Sequence, residues 1–260
     1  GSSLPKLVMI HGYRGNHHGL EAIVGSLPDF EVYVPDLPGF GISESPNAPH
    51  SIETYSRWLR DFLSFLSIEQ PPILIGHSFG TIVTAATAPS LGNQISKLIL
   101  INPVSAPVMT GVRGLMAWLT LLFNRISGLL PIRAGEWLLR SWPVVWLMSE
   151  LTATTRNKEL RRWIHQQHHE NFSQFESRRV AIEAYQASIS TNVSEFADRI
   201  SVPVLLIIGE KDNVTKLREQ LAVQHKFANA QLRVIPATGH LVHYETPEQT
   251  AEFIRDFTLG

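Results

Sequence analysis

Three residue types, a serine, a histidine and an aspartate, can together turn a weak alcohol into a nucleophile, and this chain carries candidates for all three. Gly76-His77-Ser78-Phe79-Gly80 is a Gly-x-Ser-x-Gly motif. An apolar run at 73–75 precedes it, and a stretch of small and apolar residues at 81–88 follows. A strand that turns this sharply into a helix forces the serine into a strained conformation, and glycines on either side remove side chains that would clash. The plainer account of such a motif is a glycine-bearing turn with an incidental serine; the strand before it and the helix after it weigh against that account.

A serine hydroxyl needs a base within hydrogen-bond reach. Of the eleven histidines, His240 is the best placed, because Ala237-Thr238-Gly239-His240 follows the last predicted strand. His243, one helical turn further on, is the second choice. His11 lies at the exit of the first strand, and His77 adjoins Ser78 and is expected to point elsewhere. The base needs a carboxylate to hold its tautomer and stabilise its cation. Asp212, in Gly209-Glu210-Lys211-Asp212 directly after the fifth strand, fits that role, with Glu210 as the fallback.

The elements that must position these groups are legible as hydrophobic pattern. Six short apolar runs, at 7–10, 32–34, 73–75, 98–101, 204–208 and 232–235, are mostly continuous rather than alternating, as in strands buried on both faces of a parallel sheet. Ser51 is a candidate N-cap for a helix with Ile52, Tyr55, Leu59, Phe62 and Leu66 on one face. Thr246, with Pro247 at the first helical position and Gln249 three residues on, reads as a capping box. Strands alternating with helices predict an α/β doubly wound sheet. The alternation breaks at 104–191, which reads as helices alone. That segment holds five of the six tryptophans and ten Lys/Arg against six Asp/Glu, so it is basic where the remainder is acidic. The expected organisation is a core of 1–103 and 192–260 carrying an inserted helical cap, or lid, at 104–191.

Bulk composition sets outer limits. Hydrophobic residues make up 44% and charged residues 17%, enough for a sizeable core and against disorder. A formal charge of −1 with no basic stripe argues against a nucleic-acid partner. Without cysteine there is no disulfide, thiolate catalysis or Cys-zinc site. No run reaches the roughly 18 apolar residues of a membrane span; the nearest, 115–130, contains Asn124 and Arg125. No basic segment leads into an apolar run at the N-terminus, so the expected location is cytoplasmic, with Gly1-Ser2-Ser3 compatible with a tag scar or a trimmed terminus.

Taken together, His11-Gly12-Tyr13-Arg14-Gly15, the 36–43 loop Asp36-Leu37-Pro38-Gly39-Phe40-Gly41-Ile42-Ser43, the Ser78 motif, the Asp212 loop and Gly239-His240 resemble the α/β-hydrolase superfamily, and its capped branch of small esterases, C–C bond hydrolases, proline iminopeptidases and the menaquinone-pathway synthase. The order Ser, Asp, His along the chain agrees with that resemblance. It implies an α/β-hydrolase core of about six mainly parallel strands, the usual first two being absent. It also implies an oxyanion hole formed by the backbone N–H groups of Tyr13 and Phe79. The reaction expected is hydrolysis, through an acyl-enzyme and without cofactor or metal, of a small-molecule carboxylic ester of a small to medium, largely apolar acyl or aryl group, because the tryptophan- and leucine-rich cap should give the site mostly apolar walls. The 36–41 loop is expected to be structural.

Substrate contacts are expected from Arg14, His18, Trp118, Trp137, Trp142, Trp146 and Leu241. Arg14, beside the implied oxyanion donor, is also the one candidate for gripping a carboxylate, which a C–C hydrolase or lyase-like synthase acting on an anionic carbonyl compound would need. An iminopeptidase would want acidic groups in the cap, which is basic. A ligand receptor that keeps the hydrolase scaffold is a further alternative. Epoxide hydrolases and haloalkane dehalogenases carry aspartate where Ser78 stands. His165, His168, His169 and Glu170 share a helix face but match no metal signature, and they read as a polar outer face. Oligomeric state is not legible.

Overall fold

The computed structural model describes residues 4–107 and 111–260, with the side chains of 111–113 excepted. Gly1-Ser2-Ser3 and positions 108–110 of the expected cap lie outside the described residues. Six strands form one parallel sheet in the order β2-β1-β3-β4-β5-β6. They are β1 (Lys6–Ile10), β2 (Glu31–Tyr33), β3 (Ile73–His77), β4 (Lys97–Ile101), β5 (Val204–Gly209) and β6 (Ala230–Ile235). Each matches one of the six apolar runs. The order reverses direction at β1 and β3, and loops at the carboxyl ends of strands flanking such a switch form a crevice where ligands bind.

The continuous apolar runs have a direct structural cause. Val8, Ile10, Leu74, Leu98, Leu100 and Leu206 point into one buried cluster, while Leu7, Met9, Ile75, Ile99, Ile101 and Ile207 point into the other. Adjacent residues on a strand face opposite sides, so a sheet covered on both faces needs an apolar residue at every position. β6, at the edge, alternates instead and exposes Gln231 and Arg233.

The helices of the core are α1 (Glu21–Val24), α2 (Ile52–Leu66), α3 (Phe79–Leu91), α9 (Leu217–Gln224), α10 (Val242–Glu245) and α11 (Pro247–Leu259). Ser51 caps α2 as expected, its hydroxyl accepting from the Thr54 amide at 3.2 Å. The capping box expected at Thr246 does not form. The short α10 ends immediately before it, and the Thr246 hydroxyl donates back to Val242 O at 3.3 Å.

Between β4 and β5 the described residues form five α-helices: α4 (Gly111–Leu129), α5 (Ile132–Arg140), α6 (Trp142–Thr152), α7 (Lys158–Asn171) and α8 (Arg178–Ser190). They are seated on the core by polar contacts. The 36–43 loop is stitched to them through Gly41 N to Gln174 O and Glu176 N to Gly39 O. Tyr13 Oη donates to Ala181 O at 2.8 Å, and Glu245 Oε1 accepts from the amides of Thr154 and Thr155. Asp36 holds its own loop by accepting from the amides of His17 and Ile42. Gly41 (φ +55) lies so close that a Cβ there would be 2.1 Å from Asp36 Oδ2. The 36–41 loop is thus a structural seat.

Candidate active site

β3 runs straight into α3, and Ser78 takes the whole turn, at φ 51° and ψ −117°. Such a conformation is rare for a residue with a side chain and must be held by its surroundings. The glycines on either side permit it. A Cβ on Gly76 would lie 2.5 Å from Gly80 O, and one on Gly80 would lie 2.2 Å from Ile10 O. Both are closer than any Cβ can approach.

His240 reaches Ser78 from the loop between β6 and α10, with Nε2 2.8 Å from Ser78 Oγ. Its Nδ1 lies 3.0 and 3.1 Å from the two oxygens of Asp212. Nδ1 therefore donates to the carboxylate, which leaves Nε2 as the acceptor facing the serine hydroxyl. Asp212 is itself fixed: its side chain is fully buried, and Oδ1 accepts from the amides of Val214 at 2.7 Å and Thr215 at 3.2 Å. Glu210, the fallback, turns away and accepts from the Ala237 amide at 2.8 Å.

Two neighbouring histidines serve the scaffold. His77 Nε2 donates to His240 O at 3.4 Å, and its ring packs 4.1 Å from that of His243. Burial, aided by the proximity of His240, holds His77 down to about 3. Burial likewise pushes His243 well below its ordinary value, and its Nδ1 has no partner among the described residues. His11 is buried too; its Nε2 accepts from the Leu37 amide, and its Nδ1 donates to Gly12 O. That bond pins the turn carrying Gly12 and Tyr13. Gly12 packs against the nucleophile candidate, so a Cβ there would sit 3.2 Å from Ser78 Cβ. Phe79 is the first residue of α3, where a backbone N–H has no intrahelical acceptor.

Asn102, directly after β4, belongs to no motif in the sequence. It is buried, and its side chain ties together the loops that carry Asp212 and His240: Oδ1 accepts from Gly209 N at 3.1 Å, and Nδ2 donates to Gly239 O at 2.9 Å. Its backbone is left-handed (φ 46°), which asparagine tolerates better than most residues. A lone asparagine after a predicted strand was the available signal.

Ser78 and His240 open into a cavity of about 420 Å³, within the range of small-molecule sites. Its walls come from the core (Phe79, Val104, Leu241, Tyr244) and from the inserted helices (Met116, Ala117 and Thr120 of α4; Met148, Leu151 and Thr152 of α6; Tyr185 and Ile189 of α8). Leu241 lines it as expected. The other expected contacts do not. Arg14 is buried and points into the seam, donating to Leu139 O at 2.7 Å and Phe172 O at 2.9 Å with its guanidinium over the Phe175 ring. His18 bonds Glu21 at 2.6 Å on the surface. Trp118, Trp137, Trp142 and Trp146 lie on outward helix faces, Trp137 being 71% exposed. The inward faces instead carry the methionines and small residues that line the cavity. Trp163 is also exposed, though its ring meets that of Tyr244 edge-on.

His165 and His168 turn toward α6 instead of forming the polar outer face expected of them, His168 being fully buried. His165 and His168 both reach Ser149 Oγ through Nδ1 at 2.7 Å, and His165 pairs with Glu150. Burial holds His168 down to about 3. They form the polar seam between α6 and α7. Among the described residues, His17, His18 and Glu21 are the group whose ligand atoms converge within 4.8 Å. They lie outside the cavity, and His17 is already bound to Asp36.

The sequence model of the alpha/beta hydrolase family matches residues 7–253. The chain belongs to that family. Among its relatives, human monoacylglycerol lipase ABHD6 is 24% identical over 97% of this chain and 75% of its own length. Lipase 1 of Psychrobacter immobilis is 23% identical over 96% and 76%. Solved structures of the same fold include an esterase from Exiguobacterium antarcticum (TM-score 0.81, 19% identity, covering 100% of this chain and 94% of that one). An enol-lactonase from Burkholderia xenovorans also superposes (TM-score 0.81, 18% identity, 100% and 93%). This alpha/beta hydrolase thus has lipases among its sequence relatives, matched over nearly its whole length.

Proposed function

We propose that this hydrolase cleaves carboxylic esters of small to medium, largely apolar acyl or aryl groups through an acyl-enzyme on Ser78. The observation that carries the reading is the unbroken chain of contacts from Ser78 Oγ through His240 to Asp212, opening on an apolar cavity. Ser78 Oγ attacks the ester carbonyl while its proton passes to His240 Nε2. Asp212 stabilises the imidazolium so formed. The proton then passes to the leaving alkoxide, which departs as the alcohol. Water repeats the sequence on the acyl-enzyme and releases the acid. In this reading the amides of Tyr13 and Phe79 donate to the tetrahedral oxyanion, each worth about 3–4 kcal/mol of barrier. The packing of Gly12 on Ser78 and the position of Phe79 at the start of α3 support that assignment. Residues 104–191 act as the cap that completes the acyl site, and no cofactor takes part.

The C–C hydrolase alternative loses its motive. Arg14 is committed to two main-chain carbonyls, and no lysine or arginine lines the cavity among the described residues. Apolar walls discriminate weakly, at roughly 1–3 kcal/mol per methylene, so several neighbouring acyl lengths should be accepted. The test is a panel of p-nitrophenyl esters of increasing acyl length, with fluorophosphonate labelling. Turnover and labelling are expected in the wild type and absent in Ser78→Ala, with the fold intact. Labelling that survives in Ser78→Ala, or turnover of anionic diketo compounds and not of esters, would refute the reading.

A further inference from the structure

Two of the inserted helices turn their large apolar side chains outward. On α4, Leu115, Leu119, Leu122, Ile126 and Leu129 follow a 4-3-4-3 spacing that puts them on one face, and all are exposed, Leu129 at 87%. The buried residues of that helix include Asn124 and Ser127. On α6, Trp142, Trp146 and Leu147 likewise face out, and the buried positions are Val145 and Ser149. An ordinary surface helix does the opposite, and apolar exposure on this scale marks an interaction site.

We infer that this face of the helical insertion docks on the surface of an anionic lipid bilayer, lying in it without crossing it. Three observations choose that occupant. First, no helix among the described residues is long and apolar enough to span a membrane, so the outward apolar faces suit an interfacial position. Second, the outward faces are rich in tryptophan, which favours the headgroup level, and their charges are basic. α4 contains no Asp or Glu, and Arg125 and Arg133 stand exposed among the apolar side chains. The one acidic residue of α6, Glu150, is paired with Arg161. Third, Met116 of α4 and Leu151 of α6 are exposed and also line the cavity. The outward apolar face therefore runs into the cavity mouth. A second protein seated there would cover it, whereas a fluid bilayer would offer apolar esters to it directly. That last consequence rests on the ester reading; docking itself does not.

The experiment is flotation of the full chain with vesicles of phosphatidylcholine, alone or mixed with about one-third phosphatidylglycerol, together with quenching of tryptophan fluorescence by chain-brominated lipids. The expected result is flotation and quenching, both stronger with phosphatidylglycerol. Replacing Trp118 and Trp146 together by serine should weaken binding by about tenfold or more, because two interfacial anchors are lost. Arg125→Gln should weaken binding by about fivefold, and on the anionic vesicles alone. None of these residues lines the cavity, so turnover of a water-soluble ester should be unchanged. Because docking is read from flotation and quenching, its failure is distinct from a failure of the ester reading. Absence of flotation and quenching on both vesicles would overturn the inference. So would a stable dimer, seen by light scattering and broken by Leu122→Glu, in a protein that does not float.

Discussion

Asp212→Asn tests the site with almost no change in shape. The carboxylate does two things at once: Oδ1 accepts from the amides of Val214 and Thr215, and both oxygens face His240 Nδ1. In the asparagine variant the two main-chain donors keep the carbonyl oxygen on their side. The NH2 group must then face His240 Nδ1, which becomes an acceptor. The imidazole proton moves to Nε2 and points at Ser78 Oγ, where the base needs a lone pair. The general base is blocked, and the cation that forms in the transition state also loses its carboxylate. By analogy with the same change in serine proteases, the cost is about 10⁴ in kcat, or roughly 5.4 kcal/mol. Stability should change little, since both amides keep an acceptor. The assay is kcat and KM on a p-nitrophenyl ester alongside thermal unfolding, with Glu210→Gln in parallel. Glu210→Gln should stay within about threefold of wild type, because that side chain serves the Ala237 amide. A folded Asp212→Asn enzyme retaining more than about a tenth of wild-type kcat would refute the tautomer argument.

Gly80→Ala would drive a Cβ to 2.2 Å from Ile10 O and 2.7 Å from His11 O, so β1 and the Gly12-Tyr13 turn must move. A loss of about 3 kcal/mol or more is expected on thermal unfolding, with kcat falling more than KM rises in whatever folds. Arg14→Gln removes two charge-assisted bonds to Leu139 O and Phe172 O, each worth about 1.5–3 kcal/mol. Tm should fall by about 6–12 °C while turnover of simple esters stays within about threefold; selective loss of activity at unchanged Tm would restore Arg14 to the substrate site. Burial keeps His77 and His168 neutral down to about 3, against 6.5 for a free histidine. The unfolded chain therefore takes up protons below about pH 6.5 that the folded chain refuses. Stability should be level above that pH and fall by roughly 1.4 kcal/mol per pH unit per histidine below it. Urea unfolding between about pH 7.5 and 5.5 should show the slope reduced in His168→Gln, and an unchanged slope would contradict the assignment.

What the sequence by itself determined was the part of the molecule governed by local rules. A buried parallel strand must be apolar at every position, so all six strands were legible. A strand-to-helix elbow tolerates few residues around its serine, so Ser78 was legible too. His240 and Asp212 followed because the loops after β5 and β6 lie at the same end of the sheet as that elbow. Only the tertiary structure decided what depends on direction and on partners distant in the chain. The tryptophans of the insertion were expected to line the substrate site because apolar residues usually turn inward. Here α4 and α6 turn them outward, and bury Ser127 and Ser149 instead. No one-dimensional pattern fixes which face of such a helix meets the core. Arg14 has the same lesson. Its neighbours in sequence put it beside the implied oxyanion donor, but two carbonyls more than a hundred residues away draw its guanidinium into the seam. Asn102 has no chemistry visible alone; it acquires a role because folding brings Gly209 and Gly239 to its two ends.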